Sequence, residues 1–303
     1  MKPCFAFFIC FFTFSLSLSA QTQDPSNHTA QNSIQIETDV VYGKVNGRDL
    51  KIDLAFPKQE SENPRPVVVW IHGGAWRAGS KDRNRAQFLA RHGFFTASVE
   101  YRLTGEAIWP AQIHDCKGAI RFLKANAKKY NLDPNKIGVW GSSAGGHLVA
   151  MLGTTAEVEE LEGNIGPNHV TSRVHAVVDF YGPTDLTVMG DFPSRMDHDA
   201  PDSPESQLLG GPPKQNRAIA NTANPITYVT KDDPPFLIVH GDLDMTVPYN
   251  QSQILYAALT KAGVDSTFIP VRGGGHGGWS EKTDPTGQEI REMVRDFFIK
   301  VLK

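Results

Sequence analysis

Six apolar runs recur along the chain: VVVWIHGG (67–74), FFTASVEY (94–101), KIGVWGS (136–142), VHAVVDFYG (174–182), PFLIVHG (235–241) and DSTFIPV (265–271). Several are apolar at nearly every position. A strand with one face in water alternates polar and apolar residues, whereas a continuously apolar strand is covered on both faces, as in a parallel sheet packed between helices. Helical patterns at about 81–92, 109–130, 144–155, 249–263 and 285–302 lie between the runs. The alternation predicts an α/β fold with a mostly parallel, doubly wound sheet. Ahead of the runs, DVVYGKVNGRDLKIDLAFP (39–57) sets an Asn-Gly pair between two strand-like stretches, which predicts an antiparallel hairpin. Residues 183–233, rich in Pro, Asp, Ser and Gly, break the rhythm after the sixth strand. They predict a loop-rich insertion, since ordinary connections are far shorter.

The first twenty residues, MKPCFAFFICFFTFSLSLSA, hold one charge at Lys2, an apolar core over 5–18, and small residues at Ser19 and Ala20. That core is shorter than the roughly 20 residues of a spanning helix. It reads as a signal peptide (1–20) cleaved near Ala20, so a secreted or periplasmic protein with no stable membrane insertion after cleavage is expected. Residues 21–33 are polar and unpatterned, a flexible leader, and 34–303 form one domain. Losing the signal moves the net charge from −3 to −4, which argues against nucleic acid or an anionic membrane as partner. Cys4 and Cys10 leave with it, so Cys116 has no partner for an internal disulfide and reads as a small buried hydrophobe. The composition does not fix an oligomeric state.

WGSSAGGHL (140–148) contains G-x-S-x-G directly after a strand and at the start of a helical pattern. In that context the central serine, Ser143, sits on a tight turn with its hydroxyl exposed, at a helix N-terminus that favours an oxyanion. Ser142 would be turned away. A serine hydroxyl needs a base that is itself oriented by a carboxylate. Among ten histidines, His276 stands out in the glycine-rich RGGGHGGW after the last strand. His72 and His240 end strands and are expected to hold loops; His114 and His147 fall inside helices. For the acid, Asp242 and Asp244 in HGDLDMTVP, Asp185 in YGPTDL and Glu281 all remain open. Ser143, Asp244, His276 follows the Ser, Asp, His chain order of one serine-triad fold, and Asp185 would satisfy it too. HGGAW (72–76) supplies a bare turn after a strand, with the amides of Gly74 and Ala75 as oxyanion donors and that of Ala144 completing the set. Trp76, Trp109 and Trp279 are candidate walls of a substrate cleft, where sugar or phenolic esters would stack.

With HGGAW, GSSAGG, HGDLDMTVP and GGGHGGW in this order, the chain from about residue 38 resembles the α/β-hydrolase superfamily, specifically the acetylxylan/feruloyl-esterase-like and hormone-sensitive-lipase-like carboxylesterases. The stretch from VEYRLTGEAIWPAQ to GSSAGGHL and the segment SPESQLLGG look most like the former. The resemblance implies the α/β-hydrolase fold, Ser143 as nucleophile, His276 as base and Asp244, rather than Asp242, as acid. It implies a serine esterase that needs no metal or other cofactor, acting on a small-molecule or carbohydrate ester, with acetyl or feruloyl esters of plant polysaccharide as expected substrates. Ala75 stands where the lipase-like group usually has a third glycine; the amide is kept and a methyl is added. Two alternatives use the same fold: an amidase or peptidase with the same triad, and a binding protein without chemistry.

Overall fold

The computed structural model describes residues 33–156 and 158–303, together with Met1. The expected signal peptide and nearly all of the leader lie outside the described residues. Among the described residues eight strands form one sheet: β1 (Ile34–Val45), β2 (Arg48–Pro57), β3 (Arg65–Ile71), β4 (Phe95–Val99), β5 (Leu132–Ser142), β6 (Ala176–Phe180), β7 (Phe236–Gly241) and β8 (Ser266–Val271). Their order is β1-β2-β4-β3-β5-β6-β7-β8. Pairing is antiparallel across β1, β2 and β4 and parallel thereafter. β3, β4, β6 and β7 are buried at every position, which is why their sequences do not alternate. The β1-β2 hairpin turns at Asn46 and Gly47 with φ of 47° and 84°, the pair of positive angles that Asn-Gly accommodates best.

Helices α1 (Ala111–Ala125), α2 (Ala144–Thr154) and α3 (Asn250–Ala262) pack on one face. Helix α4 (Gly287–Leu302) and a 3₁₀ segment, Arg85–His92, cover the other. In α4 the buried residues Ile290, Val294, Phe298 and Leu302 recur every fourth position and form a single stripe, and a Thr286/Glu289 capping box starts the helix. Cys116 is buried in the first core. The helix expected over 81–92 is confined to Arg85–His92. Before it, Lys81 is held by Asp39 and Asp53, each at 3.0 Å, and Asn84 caps the amide of Ala86. The pattern at 109–130 breaks after α1, where the Asn126 side chain donates to the Phe122 carbonyl and competes with helix continuation.

The stretch 183–233, expected to lack clear elements, carries two short helices, Pro204–Leu209 and Arg217–Thr222, and two 3₁₀ turns. It is fastened to the body: the Trp109 amide donates to Leu208 and the Arg195 amide to Met245, both at 2.8 Å.

The chain places β4 on one side of β3 and β5 on the other. The crevice at the carboxyl ends of β3 and β5 is therefore a topological switch point, where open α/β sheets receive ligands. The loops that follow β3, β5, β6, β7 and β8 all emerge at this edge.

Candidate active site

Ser143 joins β5 to α2 with φ 56° and ψ −124°. For a residue with a side chain such a conformation costs on the order of 1–3 kcal/mol and survives only where the surroundings over-determine it. They do so here. A Cβ on Gly141 would lie 2.1 Å from the Gly145 carbonyl oxygen, and one on Gly145 would lie 2.1 Å from that of Ile71, so only glycine allows the strand and helix to close this tightly. The Ser143 amide donates to the Phe180 carbonyl at 2.9 Å, tying the turn to the end of β6. Ser142 is buried and interacts with the Tyr181 phenol.

His276, on the loop after β8, brings Nε2 to 3.0 Å from Ser143 Oγ and Nδ1 to 2.7 Å from Asp244 Oδ2. Asp244, after β7, also accepts the amides of Thr246 and Val247 on Oδ1, at 2.8 and 3.0 Å. His240 Nε2 stands 3.3 Å from its Oδ2. Burial by itself would push this carboxyl up, but hydrogen bonds from His240 and His276 outweigh it and hold Asp244 well below the ordinary carboxylate range. It is charged at neutral pH. His240 is fixed in turn by Ser252 Oγ at 2.7 Å and the Val247 carbonyl at 3.0 Å. The other carboxylates are engaged elsewhere. Asp185 accepts from the amide and hydroxyl of Thr187, Asp242 accepts the Gly273 amide, and Glu281 is exposed.

The loop 72–76 meets the serine turn at Gly73, where a Cβ would stand 3.3 Å from Ser143 Cβ. Gly74, Ala75 and Trp76 all have positive φ, at 118°, 55° and 54°. This contorted loop is pinned by Tyr101 Oη donating to the His72 carbonyl (2.9 Å), by the Ala78 amide on Gly74, and by the Thr104 amide on Trp76. Among the described residues the amides of Gly74 and Ala75 have no acceptor. The Ala144 amide opens the first turn of α2, where helix amides have no partner within the helix.

Two of the three expected cleft walls are shut in. Trp76 is 1% exposed and Trp109 4%. Trp76 Nε1 donates to His147 Nδ1 at 3.2 Å, leaving His147 Nε2 to donate to the Ala223 carbonyl at 2.6 Å. Trp109 packs on the same imidazole and donates to Thr222 Oγ1. Burial lowers His147 to about 4, so it is neutral. Trp76 and Trp109 therefore offer no ring face to a substrate, and that expectation is corrected: they fasten the loop, α2 and the insertion together. Trp279 is half-buried against Phe180 and Tyr181.

Asp179 and Tyr181, neither of them singled out by motif, brace the site. Tyr181 has φ 43°, and its ring lies 4.5 Å from that of His276. The turn that holds it is closed by the Gly182 amide donating to Asp179 Oδ1 at 2.9 Å, while Asp179 Oδ2 has no partner among the described residues. An acid inside the apolar run VHAVVDFYG was the available sign. Burial raises Asp179 to about 7. The folded chain thus keeps a proton there that the unfolded chain releases, and stability falls as pH rises from about 4 through 7. Asp179→Asn removes this titration. Urea unfolding should show the variant gaining on the native protein by up to about 4 kcal/mol between pH 4 and 8; parallel pH courses would mean that the carboxyl is charged in the fold.

Residues 52–259 match the BD-FAE family. Esterase LipC of Mycobacterium tuberculosis is 31% identical over 236 residues, covering 75% of this chain and 56% of LipC. The chain spans 49% to 61% of the length of the curated relatives that it matches at this level. A truncated carbohydrate esterase from gut microbiota superposes with a TM-score of 0.77 at 35% identity, over 88% of this chain and 95% of that one. Esterase 2 of Thermogutta terrifontis, with propionate bound, gives 0.71 at 27% identity, over 88% and 94%. By the extent of that match and the agreement of its sheet with these structures, the chain belongs to the BD-FAE family and has the α/β-hydrolase fold.

Proposed function

We propose that this protein is an exported serine carboxylic ester hydrolase that cleaves short-chain acyl esters, acetyl or feruloyl esters of plant polysaccharide among them, through an acyl-enzyme. The observation that carries this reading is the unbroken chain from Ser143 Oγ through His276 to Asp244, at 3.0 and 2.7 Å, on the switch-point edge of the sheet. His276 Nε2 takes the hydroxyl proton as Ser143 Oγ attacks the ester carbonyl. Asp244 keeps the other imidazole proton on Nδ1 and stabilises the imidazolium. The oxyanion falls to the amides of Gly74, Ala75 and Ala144, each such donor contributing about 3 kcal/mol. The alcohol departs with the proton from His276. Water then attacks the acyl carbonyl with His276 as base again, releasing the acid and restoring Ser143.

Similarity to a carbohydrate esterase supports a carbohydrate ester as substrate, and similarity to an esterase with bound propionate supports a small acyl group. The composition of residues 1–20 supports export. Short acyl groups also fit the insertion, where Leu186, Met189, Leu208 and Leu209 are committed to the core at 1% exposure or less and only Phe192 and Ile219 are exposed large hydrophobics. A long alkyl chain gains about 0.8 kcal/mol per CH₂ only where apolar surface receives it. Nitrophenyl acetate and butyrate are expected to exceed decanoate in kcat/KM by about tenfold or more, a difference of about 1.4 kcal/mol; the reverse order would reject the short-chain reading. Esterase function itself is tested by comparing nitrophenyl acetate with an aminoacyl nitroanilide. Ester turnover far above amide turnover is expected. Comparable rates would make the protein an amidase, and a folded protein that a serine-directed fluorophosphonate fails to label would favour a binding protein.

A further inference from the structure

Behind His276, on the sheet face covered by α4 and the 3₁₀ segment, lies a cleft of about 600 Å³, within the range of small-molecule sites. Ser143 and His276 are not among its walls. Its floor and sides are aromatic, including Phe88, Trp140, Tyr181 and Trp279, and its rim carries Arg85, Arg91 and Arg291. Among the described residues no carboxylate lines it and none of the three arginines has an ion-pair partner. Arg291 lies over the Phe88 ring with its guanidinium carbon 4.1 Å from the centroid. His92, next to this rim, is lowered first by burial and then by the charges of Arg295, Lys303 and Arg291, with Asp296 opposing them. A second feature is independent of charge. Trp140 is 4% exposed and its buried indole N–H has no acceptor among the described residues. A buried donor without an acceptor costs stability and calls for an explanation.

We propose that this cleft is a second binding site, distinct from the Ser143 site, for a small aromatic carboxylate. The ring would lie between Phe88 and Trp279, both half-buried, and the carboxylate would take the arginines at the rim, whose planar donors suit it. Aliphatic acids would forgo the first contact and neutral aromatics the second. The site shares a wall with the candidate active site, since Tyr181 lines the cleft and packs on His276.

Calorimetric titration of 3-phenylpropionate into the protein after Ser143 has been capped with an organophosphonate tests this. Saturable one-to-one binding is expected, at least tenfold tighter than that of propionate or of 3-phenylpropanol under the same conditions. The double variant Arg91→Gln/Arg291→Gln should hydrolyse nitrophenyl acetate as the native enzyme does, which certifies its fold, while losing tenfold or more in affinity. Should the cap abolish binding, the acid sits at Ser143 and the second site does not exist. Equal binding of propionate or of the alcohol, or unchanged affinity in the double variant, would overturn the proposal as well. If the phosphonate fails to react, the esterase reading is what fails; titration of the uncapped native and double-variant proteins, with the same expected loss, still decides the cleft.

Discussion

Ser143→Ala is expected to lower ester turnover by about 10⁴- to 10⁶-fold with the fold intact, and Ser142→Ala to leave most of it. The two hydroxyls are adjacent in sequence and their surroundings differ. Ser143 occupies the positive-φ turn, half-exposed and 3.0 Å from His276 Nε2, whereas Ser142 ends β5 in the interior beside Tyr181. Residual turnover in Ser143→Ala is expected to reflect the proposed oxyanion donors alone. Equal losses in the two variants, with both proteins folded, would remove Ser143 from the nucleophile's place.

Asp244→Asn is expected to cost about 10⁴-fold in kcat, because an amide can hold His276 in the wrong tautomer and cannot stabilise its cation. Asp242→Asn and Asp185→Asn should stay within a few-fold of the native enzyme, since their carboxylates serve the Gly273 amide and the Thr187 turn. The same substitution has a stability signature. Asp244 lies below its unfolded-state value, so its contribution is complete above about pH 4, the ordinary carboxylate range, and is lost as pH falls through the folded-state value. The acid limb of the native unfolding curve should therefore be steeper than that of Asp244→Asn. A nearly active Asp244→Asn beside an inactive Asp185→Asn would move the acid to Asp185.

Strand identity and the parallel class were legible because runs such as VVVWI and FLIVH carry no alternation, a local property of the chain. The placement of β3 between β4 and β5 was not, since pairing depends on where crossovers carry the chain and no residue encodes that locally. The serine turn was readable from two glycines whose absent side chains are a geometric necessity. The acid stayed open among several carboxylates on residues alone, because each follows a strand and only loop geometry decides which faces the imidazole. Trp76 and Trp109 misled for a plain reason: an indole with a satisfied N–H packs in a core as well as it lines a cleft, and here His147 and Thr222 satisfy them. Asp179 escaped notice because its role lies in a turn closed three residues away, at Gly182.

The most direct measurement is mass spectrometry of the protein quenched in acid during turnover of a nitrophenyl acetate. Peptide mapping should find one added acetyl group, on the peptide containing WGSSAGGHL, with fragmentation placing it on Ser143, and His276→Ala should not accumulate it. An acetyl group on Ser142 or on another residue, or steady hydrolysis with no covalent adduct under any quench, would contradict the account.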